Sequence, residues 1–131
     1  PVGRASTIKM IRSVLVKGIE ALTAECFSAA TIAGVADEVA ASRDAAQTKN
    51  GWEDQAADNM ERMKTHGSRR GAEMREVAIT LADLNIPGRM TAGTIAWQDQ
   101  LGNLGLSLLD TEGLAPRLSA IHKALDAQKS D

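Results

Sequence analysis

An all-α fold, built as a long antiparallel helical hairpin followed by two shorter C-terminal helices, is what this sequence predicts. Three observations carry that reading. Apolar residues recur at threes and fours along most of the 131 residues, the spacing of one face of a helix. No stretch alternates apolar and polar residues in the period-two manner of a half-buried strand. Gly and Pro punctuate at few places, namely Asn50-Gly51, Pro87-Gly88, and Gly113 with Pro116, which leaves room for long rods between them. A single helical domain over residues 1–131 is expected, with one modest core.

The first helix is expected over residues 6–48. Its stripe reads Ile8, Ile11, Leu15, Ile19, Leu22, Cys26, Ala29, Ala33, Ala36, Ala40, and a rod of that length spans on the order of 60 Å at 1.5 Å per residue. Its two halves differ. The first carries Ile, Leu and Val, whereas 11 of the 19 residues in 24–42 are Ala, Gly, Ser or Thr, so whatever lies against the second half must approach closely. Asn50-Gly51 then makes a short connection, which favours antiparallel neighbours.

The second helix is expected over residues 52–85, with the stripe Trp52, Ala56, Met60, Met63, Gly67, Met74, Val77, Leu81, Leu84. Gly67 and Gly71 each cost about 1 kcal/mol relative to Ala in a helix. The stripe nevertheless keeps phase across them, so one continuous helix is expected, with the two glycines at a close helix contact. Trp52, at the tip of the hairpin, is suited to cap the thin Ala-rich contact and fix its register. Asn85-Ile86-Pro87-Gly88 ends the rod, with Asn as the C-cap and Pro unable to continue. A third helix over 91–109 places Trp97, Leu101, Leu104 and Leu108 on one face. Asp110 to Gly113 reads as a turn. A fourth helix over 114–128 opens with Pro116 in its first turn and buries Leu118, Ile121 and Leu125.

Composition narrows the function classes. The formal net charge is −2, with 22 Ala, two Trp, one Phe and no Tyr. This balance advertises neither nucleic acid nor an anionic membrane, and no apolar run approaches the roughly 20 residues a transmembrane helix needs. The start, PVGRASTIKM, lacks a secretory h-region and cleavage site; Pro1 is expected where an initiator Met has been removed or the chain trimmed. Cytoplasmic, virion and non-classically exported settings all remain open.

Little reaction chemistry is expected. His66 and His122 lie 56 residues apart and are not clustered with Cys or carboxylates at metal-ligand spacing; His122 has Asp126 one turn away, which reads as a solvated pair. Cys26 lies on the apolar face, where a buried structural thiol is expected. Glu53, Asp54 and Asp58 open the second helix, where acids suit the positive end of the macrodipole. Without strands, no glycine-rich phosphate loop of the P-loop or Rossmann kind is available. Neither a catalytic set, nor a metal, nor a cofactor is therefore expected. Arg62, Lys64, Arg69, Arg70 and Arg75 make the middle of the second helix basic. They read as a solvated face answering Glu20, Glu25, Asp37 and Glu38, with Arg69 and Arg70 as possible contacts to a partner; nucleic acid is the weakest option, because no aromatic residues lie nearby to stack on bases.

The stretch KNGWEDQAADNMERM at 49–63 resembles the turn of the WXG-motif family, the early-secreted-antigen type of helical hairpin exported by type VII secretion systems. Trp52 falls near the position of that family's Trp, Ala56 and Ala57 follow it, and Met60 stands where a large apolar residue is common. Asp54 takes the place of the motif's Gly, although Gly51 precedes the Trp, and a chain without Tyr cannot carry the family's Tyr-based export signal. The resemblance covers about residues 6–85 and implies a hairpin that dimerises and is exported.

The residues thus point to a non-enzymatic assembly protein, a particle, filament or virion subunit that self-associates or pairs with a related helical chain. Its expected contact residues are Ala29, Ala33, Ala36 and Ala40 on the first helix, Trp52, Met60, Met63, Gly67, Gly71, Met74 and Leu81 on the second, and Trp97, Leu101, Leu104 and Leu108 on the third. Alternatives are a secreted hairpin of the WXG kind, or a small helical subunit that completes the active site of an enzyme complex.

Overall fold

The structure, a computed structural model, describes residues 3–106 and 113–129. Among these residues it is all-helical, without strands. Its elements are α1 (Arg4–Ala33), α2 (Ala36–Ala46), α3 (Trp52–Asp83), α4 (Arg89–Gly102) and α5 (Leu114–Lys129).

The rod expected over 6–48 is two helices, not one. Gly34 adopts a left-handed conformation at φ 76°, and its N–H reaches the Thr31 carbonyl while Val35 N–H reaches that of Ala30 at 2.8 Å. This is the terminating turn that a glycine without Cβ strain supplies. Val35 then starts α2, with Asp37 and Glu38 in the first turn, where the macrodipole favours acids. The segment ends at Ala46, before an extended Gln47.

α3 is continuous for 32 residues and passes through Gly67 and Gly71 unbroken. Its inward positions repeat at alternating threes and fours through Ala57, Met60, Lys64, Gly67, Gly71, Met74, Ala78 and Leu81, every one buried or half-buried, the pattern of a helix seam. The helix ends at Asp83 with Leu84, not Asn85, as its C-cap; Asn85 follows at φ 58°, the Ile86 N–H bonds to the Leu81 carbonyl at 2.9 Å, and Pro87 prevents any continuation. α4 begins two residues before the sequence expectation and ends at Gly102, well short of 109. Asn103 N–H caps it on Asp99, and Gly105 then turns left-handed at φ 70°. Leu108 and the turn expected at Asp110 to Glu112 lie outside the described residues. α5 matches its expectation closely.

The packing partners differ from the expected hairpin. α3 lies chiefly against α4 and secondarily against α5, whereas α1 meets these helices mainly through α4 and otherwise lies against its chain neighbour α2. The reason is visible at the glycines. A Cβ on Gly67 would stand 2.8 Å from the Gly102 Cα and closer still to the Gln98 carbonyl oxygen. The α3 and α4 backbones are thus in direct contact. A small-residue stripe shows that something comes close without showing which element does; here Gly102 offers α4 the same missing side chain. Around this crossing, Arg75 on α3 forks onto the Asp99 carboxylate on α4, and Ser68 Oγ donates to Asn103 Oδ1 at 2.8 Å. Asp99 holds the Arg75 guanidinium above its ordinary value by hydrogen bond and charge. Glu61 joins α3 to α5, lying 3.1 Å from Lys64 Nζ and 3.4 Å from Arg117 Nε. Among the described residues the buried apolar side chains are few: Ala30, Ala57, Leu81, Leu101 and Ile121.

Candidate interaction surface

α1 is docked by one end only. Its Glu25 carboxylate accepts hydrogen bonds from the backbone N–H groups of Met90 and Thr91, both at 2.8 Å, and from the Thr91 hydroxyl at 2.7 Å. These donors open α4, so Glu25 supplies from another helix the cap that Gly88 lacks. Burial opposes ionisation of Glu25, yet the bonds from Thr91, Met90 and Arg89 outweigh it and hold the carboxyl below its ordinary range. One turn and a half further on, Ala30 is buried.

The other end of α1 is uncovered by the described residues. No residue between Gly3 and Ala24 is buried. Ile8, Met10, Ile11, Val14, Leu15, Val16, Ile19 and Leu22 are all more than two-fifths exposed, Val14 at 76%. Ile8, Ile11, Leu15, Ile19 and Leu22 share one stripe, and Val14 and Met10 widen it on one side until about half of the circumference is apolar, with Val16 set apart on the other side beyond Arg12. The charges in this segment are Arg4, Lys9, Arg12 and Lys17 against Glu20 alone.

A cleft of about 290 Å³ lies where α1 meets the turn before α4, between Ala21, Ala24 and Ser28 on one side and Ile86, Pro87 and Met90 on the other. Its charged lining groups are Glu25 and Arg89. Both carboxylate oxygens of Glu25 are engaged by the α4 opening, so the group works as a cap and not as a poised acid or base.

The expected contact residues fall into two sets. Gly67, Gly71, Leu81 and Leu101 are buried, and Met60, Met63, Met74 and Leu104 are half-buried, so they belong to the inner face of the α3, α4 and α5 body. Trp52 at 60% and Trp97 at 58% are exposed; Trp52 opens α3 in solvent and does not cap a contact with α1. Ala29, Ala36 and Ala40 are half-buried and Ala33 is exposed. Arg69 is exposed and pairs with Glu73 on its own helix at 2.7 Å, and Arg70 is half-buried. The basic middle of α3 is not a uniform solvated face answering α1, because Lys64 is buried, Arg75 pairs with α4, and Glu25 is bound to α4. Cys26 is exposed, not buried as expected. His66 and His122 are exposed, and Asp126 lies 3.9 Å from Lys129. Among the described residues no three His, Cys, Asp or Glu side chains form a metal-holding group, and no helix is long and apolar enough to cross a membrane.

Sequence reasoning missed two things here. Lys64 occupies a seam position that a pattern of apolar residues does not reveal. The pattern of the sequence also assigns Ile8 to Leu22 to an internal hairpin, since periodicity shows an apolar face and not what covers it.

No curated protein and no solved structure matches the chain. Residues 30–101, from the last turn of α1 to the end of α4, match the family described as a domain of unknown function, DUF1932. That finding overturns the resemblance to the WXG-motif hairpins, which rested on Trp52 followed by Ala56, Ala57 and Met60. With the match covering more than half of its length, the chain belongs to the DUF1932 family.

Proposed function

We propose that this chain is a non-enzymatic helical assembly module, whose body of α3, α4 and α5 carries α1 as a contact arm for another helical polypeptide. The supporting observation is the cluster of eight exposed large apolar side chains between Ile8 and Leu22. Contiguous apolar patches beyond a few hundred Å² are uncommon on monomers and mark interaction sites. Each such side chain contributes about 1.5–3 kcal/mol when fully buried, and covering the segment would also hold it helical, since an unpacked helix of this length is marginal in water. The stripe that the sequence assigns to an internal hairpin is in this reading offered to another chain.

The test is the native mass by light scattering across a dilution series that reaches about 1 μM, a range diagnostic for an association of roughly 8 kcal/mol. A multiple of 13.9 kDa is expected at high concentration, falling on dilution. The pair Ile11→Asp and Leu15→Asp, at two exposed positions, should weaken association at least tenfold with helicity retained. A mass fixed at one chain throughout, for the protein alone and with its cellular binding fraction, would refute the reading.

A further inference from the structure

We propose that Glu25 is a releasable latch. While its carboxylate is charged it holds α1 on the opening of α4, and when the charge is removed α1 swings off a body that stays folded. This latch acts within one chain, whatever the apolar face of α1 meets.

Three hydrogen bonds tie α1 to the α4 opening, and all three end on that one carboxylate. Two of the donors, Met90 N–H and Thr91 N–H, lie in the first turn of α4, where their own helix offers them no carbonyl. Packing adds little at this joint. On the α1 side of the adjoining cleft stand Ala21, Ala24 and Ser28, small residues that remain exposed, and the one buried residue of α1 is Ala30. Among the described residues, none of Arg4, Lys9, Arg12, Lys17 and Glu20 forms an ion pair with α3, α4 or α5. Bonds to an ionised acceptor are roughly twice as strong as neutral ones, so a single charge supplies most of the joint.

Burial opposes that charge, but the bonds from Thr91, Met90 and Arg89 hold the carboxyl below its ordinary value of 4.5. Docking is therefore complete above that value and is lost as pH falls through the lowered one. Arg89 is the other charged group lining the cleft, and no His or Lys lines it. The rest of the molecule permits the motion. Residues 34–35 and 47–51, between α1 and α3, lie outside the helices, and a Cβ on Gly34 or Gly51 would meet nothing within 4 Å. Such positions take up the rotation of a hinge. The body keeps joints of its own that do not involve Glu25: Gly67 against Gly102, Arg75 with Asp99, and Glu61 with Arg117.

The test is amide exchange of the full chain by NMR in dilute solution, expressed as protection relative to an unstructured chain. In the wild type at neutral pH, Met90, Thr91 and residues 23–33 should be protected, and this protection should fall in acid below pH 4.5. Glu25→Gln, a neutral side chain of the same size, should lower it at least about tenfold already at neutral pH. The variant should also lose the acid dependence, with residues 67–81 of α3 as protected as before. Thr91→Val removes one donor and should move the wild-type release to higher pH. Glu20→Gln, at an exposed and unpaired acid on the same helix, should change nothing. Residues 23–33 as well protected in Glu25→Gln and Glu25→Ala as in the wild type would overturn the latch, because packing would then hold α1. Wild-type residues 23–33 that exchange freely at neutral pH would overturn it as well. So would loss of α3 protection in step with α1 in either variant, since arm and body would then be one unit.

Discussion

Gly67 and Glu25 show two different ways in which a single side chain, or its absence, decides where a helix goes. At Gly67 the missing Cβ lets α3 touch the α4 backbone. Gly67→Ala forces that contact apart and should destabilise the fold by about 2 kcal/mol or more, the scale of an overpacked core. Gly93, on α4 with nothing near its Cβ position, is the control: Gly93→Ala should stabilise by about 0.5–1 kcal/mol through helix propensity. Opposite shifts in thermal midpoint check both. Glu25 works through charge. Its folded carboxyl lies below the ordinary glutamate value of 4.5, so its contribution is fully present above that value and is lost as pH falls through the lowered one. Glu25→Gln should cost about 1–2 kcal/mol near neutrality, as expected for hydrogen bonds to a charged group, and the gap from wild type should shrink in acid. Melting curves at several pH values measure it. The close approach at Gly67 was legible from the sequence because two glycines stand on a continuous apolar stripe. The Glu25 cap was not, because its donors lie 65 and 66 residues away.

At the scale of elements, α3 and α5 were legible because their stripes stay in phase, and the stop at Asn85-Pro87 was legible because Pro admits no helical continuation. The break at Gly34 was not. Ala-rich flanks keep helical periodicity across it, and a lone Gly inside such a run is as compatible with a continuous helix as with a terminator until its φ is known. Gly34→Ala sets the two possibilities against each other. With Gly34 at φ 76°, a Cβ is strained by about 1–2 kcal/mol, so the substitution should lower the melting temperature although Ala is the better helix former. A rise would mean that α1 and α2 run straight through.

For the whole molecule, the sequence makes the all-helical class legible and an excess of apolar surface foreseeable. It does not reveal which rods lie side by side. The α1 stripe and the α3 stripe are each continuous, and periodicity cannot choose between joining them and giving each a separate partner. The choice falls to α4, because Gly102 fits against Gly67 more closely than any residue of α1 does. The family match, residues 30–101, takes in α3 and α4 up to the residue before Gly102 and leaves the apolar arm outside it. A body that closes on itself and an arm that does not is the account to be tested. Amide hydrogen exchange of residues 5–22, followed as protein concentration rises, does so most directly, since it reports protection on the arm itself. The account predicts fast exchange in dilute solution and protection that grows with concentration, while α3 stays protected throughout. Protection of the arm already complete at the lowest concentration and unchanged above it would contradict the account, because α1 would then be held by its own chain.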